Sequence, residues 1–167
     1  MLKLFFSLRE LDTEQLMAVY IEGNRENGAE LYPDDSEQMQ IQKAEEDFIS
    51  YLREDFFRHV GSFYAVWVVD SCYKAALRLE PYRDGLLLEA LETAPDARRQ
   101  GFAFSLMNAV LDYLRDGAYK SVYSHIRKTN IPSLGVHQKC GFTKISDSAT
   151  YVDGTVTQRS CTMRYIL

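Results

Sequence analysis

What most narrows the fold of this chain is a change of hydrophobic period at Gly61. Before it, Leu16, Met17, Val19 and Tyr20, and then Ile41, Ala44, Phe48, Tyr51, Leu52 and Phe56, recur at helical spacing. After it, Phe63 to Val69 is an aromatic and β-branched run, and Tyr73, Ala75, Leu77 and Leu79 alternate with Lys74, Ala76 and Arg78. A period near 3.6 marks one helical face and a period of two marks a strand. A chain that uses both must pack helices on a sheet.

The remaining signals extend this pattern. Residues 1–8 read as a first strand. Leu11-Asp12-Thr13-Glu14-Gln15-Leu16 has the form of a helix start, with Asp12 as cap, Gln15 reaching back and Leu11 stapling to Leu16. Gly23 to Asp34 is polar and punctuated by Gly and Pro, so a loop is expected there. Asp35 with Gln38 repeats the capping pattern and opens a long helix running to about His59. Asp70-Ser71-Cys72 and Pro81-Tyr82-Arg83-Asp84-Gly85 are turns, and residues 86–92 form a third strand of that group. Leu106, Met107, Val110, Leu111 and Leu114 mark a helix that ends before Gly117, and residues 121–126 another strand. A short helix from Pro132 to Cys140 is closed by Gly141. Phe142 onward and residues 155–166 read as two last strands joined at Asp153-Gly154. The expected order is β-α-α-β-β-β-α-β-α-β-β, an α/β domain with a mixed sheet of about seven strands and about four helices.

Charge and composition exclude several classes. The 167 residues fit one domain, with 46% hydrophobic and 26% charged residues. No apolar run reaches the ~18–20 residues of a membrane span. The start is charged too early for a secretory signal, so a cytoplasmic protein with no membrane partner is expected. Cys72, Cys140 and Cys161 have no CxxC spacing, and His59, His125 and His137 have no ligand spacing, so neither a disulfide framework nor a metal site is expected. A net charge of −5 disfavours nucleic acid. The charge divides unevenly: residues 1–60 carry 14 acidic and 6 basic side chains, residues 61–167 carry 10 and 13. An anionic ligand suits the second part and a cationic one the first.

The most informative segment is Arg98-Arg99-Gln100-Gly101-Phe102-Ala103, which follows a strand and opens a helix. Such a junction presents free backbone N–H groups at the positive helix end. Gly101 and Ala103 let an anion approach, and the two arginines add charge, so the turn can cradle a diphosphate. It is neither a GxxxxGK[ST] loop nor a GxGxxG fingerprint.

The same six residues match the [QR]xxGx[GA] motif of the GNAT acetyltransferase superfamily. Asn130-Ile131-Pro132-Ser133-Leu134-Gly135-Val136-His137-Gln138-Lys139-Cys140-Gly141-Phe142 resembles that family's second signature. The similarity covers residues 63–167, and the element order is also the family's. It implies one acetyltransferase domain, with residues 1–60 as the variable acceptor-side part and 61–167 binding acetyl-CoA. The implied reaction is direct acetyl transfer to the amine of a small molecule or peptide. The implied cofactor contacts are Leu91 and Thr93 with the pantetheine arm, Arg98, Arg99, Gln100, Gly101, Phe102 and Ala103 with the diphosphate, and Asn130 at its helix start. The arm would lie between the strand ending near Thr93 and that of residues 121–126.

Glu89 is the candidate base, acting through water from the face shared with Leu87 and Leu91; Glu92, on the opposite face, is second choice. His137 stands where the family usually has a tyrosine that acts as acid toward the sulfur. Tyr123 and His125 are alternatives for that role. The missing tyrosine keeps a second reading open, a CoA-binding sensor or regulatory module without turnover. Monomer and homodimer are both compatible with the sequence.

Overall fold

The computed structural model describes residues 1–167. The strands are β1 (Leu2–Phe5), β2 (Phe63–Val69), β3 (Cys72–Tyr82), β4 (Gly85–Thr93), β5 (Ser121–Arg127), β6 (Thr143–Ser146), β7 (Ala149–Thr150), β8 (Val156–Thr157) and β9 (Ser160–Ile166). The helices are α1 (Thr13–Val19), α2 (Ile21–Leu31), α3 (Glu37–Glu54), α4 (Phe102–Leu114) and α5 (Ile131–Lys139). Seven strands form one sheet in the order β1-β2-β3-β4-β5-β9-β6, and β7 and β8 form a separate hairpin. Only β4 and β5 are parallel, as expected for two strands joined through a crossover helix, here α4.

The two faces of the sheet carry two cores. Leu77, Leu79, Leu86, Leu88, Val122 and Met163 pack with Leu106, Met107, Val110 and Leu111 of α4 on one face. Leu16, Val19 and Tyr20 of the α1 region, Leu52 and Phe56 pack with Tyr64, Val66 and Ala76 on the other. The period-2 alternation of β3 divides its side chains between these cores, which is why its run is apolar on both faces.

Three expectations need correction. The segment read as a loop is largely α2, which continues almost directly from α1. Gly28 there is not a turn residue: a Cβ on it would stand 2.4 Å from the Gln40 carbonyl oxygen, so its lack of a side chain lets α2 lie against α3. Propensity alone disfavours this helix, and packing overrides it. Second, α3 is capped by Ser36, whose hydroxyl accepts from Met39 N–H, rather than by Asp35. It ends at Glu54, and a short 3₁₀ turn carries the chain to Arg58. Third, the last two strands expected are four, because the β7–β8 hairpin interrupts them. The Asp12 cap is present, its carboxylate accepting from Gln15 N–H and Nε2.

One irregularity positions everything that follows. On β4, Glu92 pairs with Ala76 and Glu89 with Arg78, so Leu77 alone faces both Ala90 and Leu91. This is a β-bulge, and Ala90 sits at φ 50°. A left-handed alanine costs about 1–2 kcal/mol. The Tyr20 hydroxyl holds the bulge by donating to the Ala90 carbonyl at 2.6 Å. Beyond the bulge the alternation reverses.

Candidate active site

The α4 turn has the form an anion site needs. Arg99 (φ 61°) and Gly101 (φ 84°) are both left-handed, so the backbone curls before the helix begins. No side chain caps α4, and a Cβ on Gly101 would meet nothing within 4 Å. The first N–H groups of a 13-residue helix therefore face open space at its positive end. Gln100 closes the turn by donating from Nε2 to the Asp96 carbonyl. Phe102 packs into both cores and anchors the turn.

Next to the turn the sheet splits. β4 and β5 pair at Leu86–Val122, Leu87–Tyr123 and Leu88–Ser124, and no further. From Glu89 onward β4 has no partner on the β5 side. A cavity of about 430 Å³ opens beside this gap, walled by Leu91, Glu92, Thr93, Arg98, Arg99, Ala103, Asn130, Pro132, Ser133 and Val136. Backbone groups that find no partner in the protein must find one in water or in a ligand. Most of the residues singled out in the sequence line this cavity or a second one of about 360 Å³ that adjoins it and spans the two strands: Glu89, Leu91, Glu92, Thr93, Arg98, Arg99, Ala103, His125, Asn130 and His137. Gly101, Gln100 and Phe102 build the turn behind it.

Several of these residues differ in detail from their expected places. The Arg98 guanidinium bonds Glu22 of α2 at 2.6 Å and lies 4.0 Å from Glu92, so it ties the turn to the acidic helix layer. Arg99 makes no such pair. Asn130 caps α5, its Oδ1 accepting from Ser133 N–H at 3.1 Å. The bulge separates Glu89 from Leu91: Leu91 packs with the α4 core and Ala90 with the other. Glu92 consequently lies on the α2 side with Arg98, and not opposite Glu89. Burial raises the Glu92 carboxyl above the usual range, although Arg98 pulls the other way.

Glu89 is mostly buried. Its Oε2 takes two bonds from Arg78, from Nε at 3.3 Å and Nη2 at 3.1 Å. Arg78 in turn stacks on Tyr51 and Phe56, 4.8 and 5.7 Å from the ring centres. Beside it Glu80 is buried, and burial followed by the Glu89 charge pushes its carboxyl up. His59 Nδ1 stands 3.5 Å from Glu80. A cavity of about 540 Å³ joins Tyr51, Asp55, His59, Arg78, Glu80, Glu89, Tyr151 and Asp153. Glu89 and Tyr151 border both this acidic space and the cavity beside the strand split.

His137 does not suit the role of acid. It is 1% exposed, and its ring packs edge-on against Phe142. Nδ1 lies 2.8 Å from the Ser133 carbonyl oxygen. A carbonyl only accepts, so Nδ1 carries the hydrogen and Nε2 holds a lone pair. Nε2 has no partner. Burial lowers the pKa of the ring, with the Ser133 carbonyl opposing. At neutral pH His137 thus has no Nε2 proton to give. The alternatives are engaged too: the Tyr123 hydroxyl donates to Asp84 at 2.6 Å, and the His125 nitrogens contact the Thr150 carbonyl and the Thr162 hydroxyl.

Comparison with known proteins agrees with this geometry. The acetyltransferase (GNAT) family matches the chain over residues 28–142. No curated protein matches it in sequence. Among solved structures, the PaiA N-acetyltransferase of Thermoplasma acidophilum in complex with coenzyme A superposes with a TM-score of 0.69 at 14% identity, covering 100% of this chain and 99% of that one. The ribosomal-protein-S18-alanine N-acetyltransferase of Escherichia coli gives 0.59 at 19% identity, over 99% and 94%. A spermidine N-acetyltransferase SpeG chimera from Vibrio cholerae and hSSAT gives 0.60 at 17%, over 99% and 95%. At these identities the structures speak for the fold.

Proposed function

The chain belongs to the acetyltransferase (GNAT) family, and from that premise we propose that it transfers acetyl from acetyl-CoA directly to the amine of a small molecule or peptide, a cationic one by preference. The observation that carries this reading is the strand split. It joins a turn suited to an anion at one end to a mostly buried carboxylate, Glu89, at the other.

The residues present fit the cofactor. The open α4 N-terminus and Arg99 suit its diphosphate, the unpaired edge of β4 at Leu91 and Thr93 suits the amides of its arm, and Asn130 stands at the far wall. When bound there, acetyl-CoA supplies an activated acyl group. A backbone N–H near Leu91 favours charge on the thioester oxygen. Glu89, oriented by Arg78, takes the proton of the attacking amine through water. The acceptor approaches from the opposite side of the sheet, where Asp55, Glu80, Glu89 and Asp153 outnumber Arg78 and favour a positive ligand.

The test is amine-dependent release of the CoA thiol from acetyl-CoA, with monoamines, diamines and peptides as acceptors. Release is expected, strongest for acceptors with a second positive charge. Tight CoA binding with no release by any amine would instead favour a sensor without turnover.

A further inference from the structure

Few side chains at the cavity beside the strand split can donate a proton. His137 has its hydrogen on Nδ1, facing Ser133. The Tyr20 hydroxyl is committed to the Ala90 carbonyl. His125 is held at Thr150 and Thr162. Ser124, Ser133 and Ser160 also line the space, but an aliphatic hydroxyl is a far weaker acid than a phenol. One phenol remains. Tyr151 opens the turn between β7 and β8, where its N–H donates to the Thr155 carbonyl and its carbonyl accepts from Gly154 N–H. Its ring meets His125 edge-on at 5.1 Å, and His125 is bonded to the residue before it. Tyr151 is half-buried, is held by its backbone and ring, and borders both the cofactor-side and the acidic cavity.

We propose that Tyr151, on the β7–β8 hairpin, is the catalytic acid that the family pattern places on the α5 helix at position 137. This rests on the acetyl-transfer reading above. The acceptor nitrogen forms its bond to the acyl carbon as the carbon–sulfur bond breaks. The sulfur keeps that electron pair and takes the hydroxyl proton of Tyr151. The amine proton leaves through water to Glu89. Tyr151, being partly open to solvent, then regains a proton from water. The donor is suited to the task, because phenol and thiol acidities lie within about two units of each other. The hairpin therefore supplies chemistry as well as a wall, and the His125 contact makes that histidine a positioning residue for Tyr151.

The test compares wild type with Tyr151→Phe, which keeps the ring against His125, and with His137→Phe. Turnover, KM for acetyl-CoA and the pH profile are measured with the best amine acceptor. Tyr151→Phe is expected to lower kcat on the order of 100-fold, leave KM for acetyl-CoA within about twofold, and erase the alkaline decline of kcat. Tyr151→His, which restores a donor of greater acidity, is expected to recover part of the rate with its decline moved to lower pH. An unchanged kcat in Tyr151→Phe, or loss of the alkaline decline in His137→Phe instead, overturns the assignment while leaving acetyl transfer intact. No amine-dependent release by wild type overturns both.

Discussion

On the proposed reading, the two sides of the sheet bind by different means. On the cofactor side the ligand surface is mostly main chain: the curled turn before α4, the first N–H groups of that helix and the unpaired edge of β4. On the acceptor side it is side chain: Arg78 and Glu80 from β3, Glu89 from β4, Tyr51 from α3 and Tyr151 from the hairpin. Backbone sites are written in short stretches of sequence, because one turn and one helix start make them. Side-chain sites gather residues from distant segments, and can change acceptor without altering the fold. The bulge at Ala90 is where the two meet, since it turns Glu89 to one side and Leu91 to the other.

Substitutions can separate the two sides. The largest effect is expected at Gly101. Gly101→Glu forces a bulky residue into a left-handed position and sets a negative charge at the helix N-terminus, so CoA affinity should fall by roughly 100-fold or more. Calorimetric titration reads this, and circular dichroism should show the fold retained. If affinity for CoA were unchanged, the turn would not be the anion site.

Glu89→Gln should do the reverse, lowering turnover by about 10–100-fold while CoA binds as before. Parallel steady-state kinetics and titration decide it, and a matching loss of CoA affinity would merge the two sides into one. A third substitution probes the acceptor layer through packing. Gly28→Leu drives a side chain into the Gln40 backbone and should cost about 1–3 kcal/mol of stability. It should also raise KM for the amine, because α2 walls a cavity of about 380 Å³ that Arg78 borders on the proposed acceptor side. Thermal unfolding together with KM for both substrates would show whether the disturbance stays on the acceptor side.

The smallest effect is a pH dependence. Burial lowers the pKa of both His125 and His137 below the ordinary 6.5. Their neutral forms therefore stabilise the fold fully above pH 6.5, and that contribution is lost as pH falls through the folded-state values. The slope is at most about 1.4 kcal/mol per pH unit for each proton taken up. Glu80 has the opposite sign. Its raised carboxyl contributes stability below its ordinary value of 4.5, lost as pH rises through the folded value. Urea unfolding from pH 4 to 8 should show His137→Phe with a shallower acid-side loss than wild type. An unaltered acid side would mean that His137 is not buried neutral.

This division also explains what could be read in advance. The Arg98–Ala103 turn and the helix start at Asn130 follow from local patterns, the strand split followed only from the family resemblance, and the structure shows all three. The α2 helix was hidden because Gly23, Gly28 and Asn24 carry loop propensity, and the contact that stabilises it, Gly28 against Gln40, is tertiary. The faces of Glu89, Leu91 and Glu92 could not be assigned, since strict alternation holds only until a bulge, and nothing in Glu89-Ala90-Leu91 announces one. Arg98 was placed correctly along the chain, but its pairing with Glu22 depends on a helix that the sequence did not reveal. Tyr151 had no signal of its own: a single tyrosine before Asp153-Gly154 looks like any hairpin residue until the fold sets it beside Glu89.

The claim that the cofactor is held by main chain on one side of the sheet is tested most directly by amide hydrogen exchange with and without CoA. Slower exchange is predicted at residues 91–93 and 99–105, with α2 and α3 unchanged. Protection confined to the helical layer of residues 13–54, with none at the turn before α4, would contradict the account.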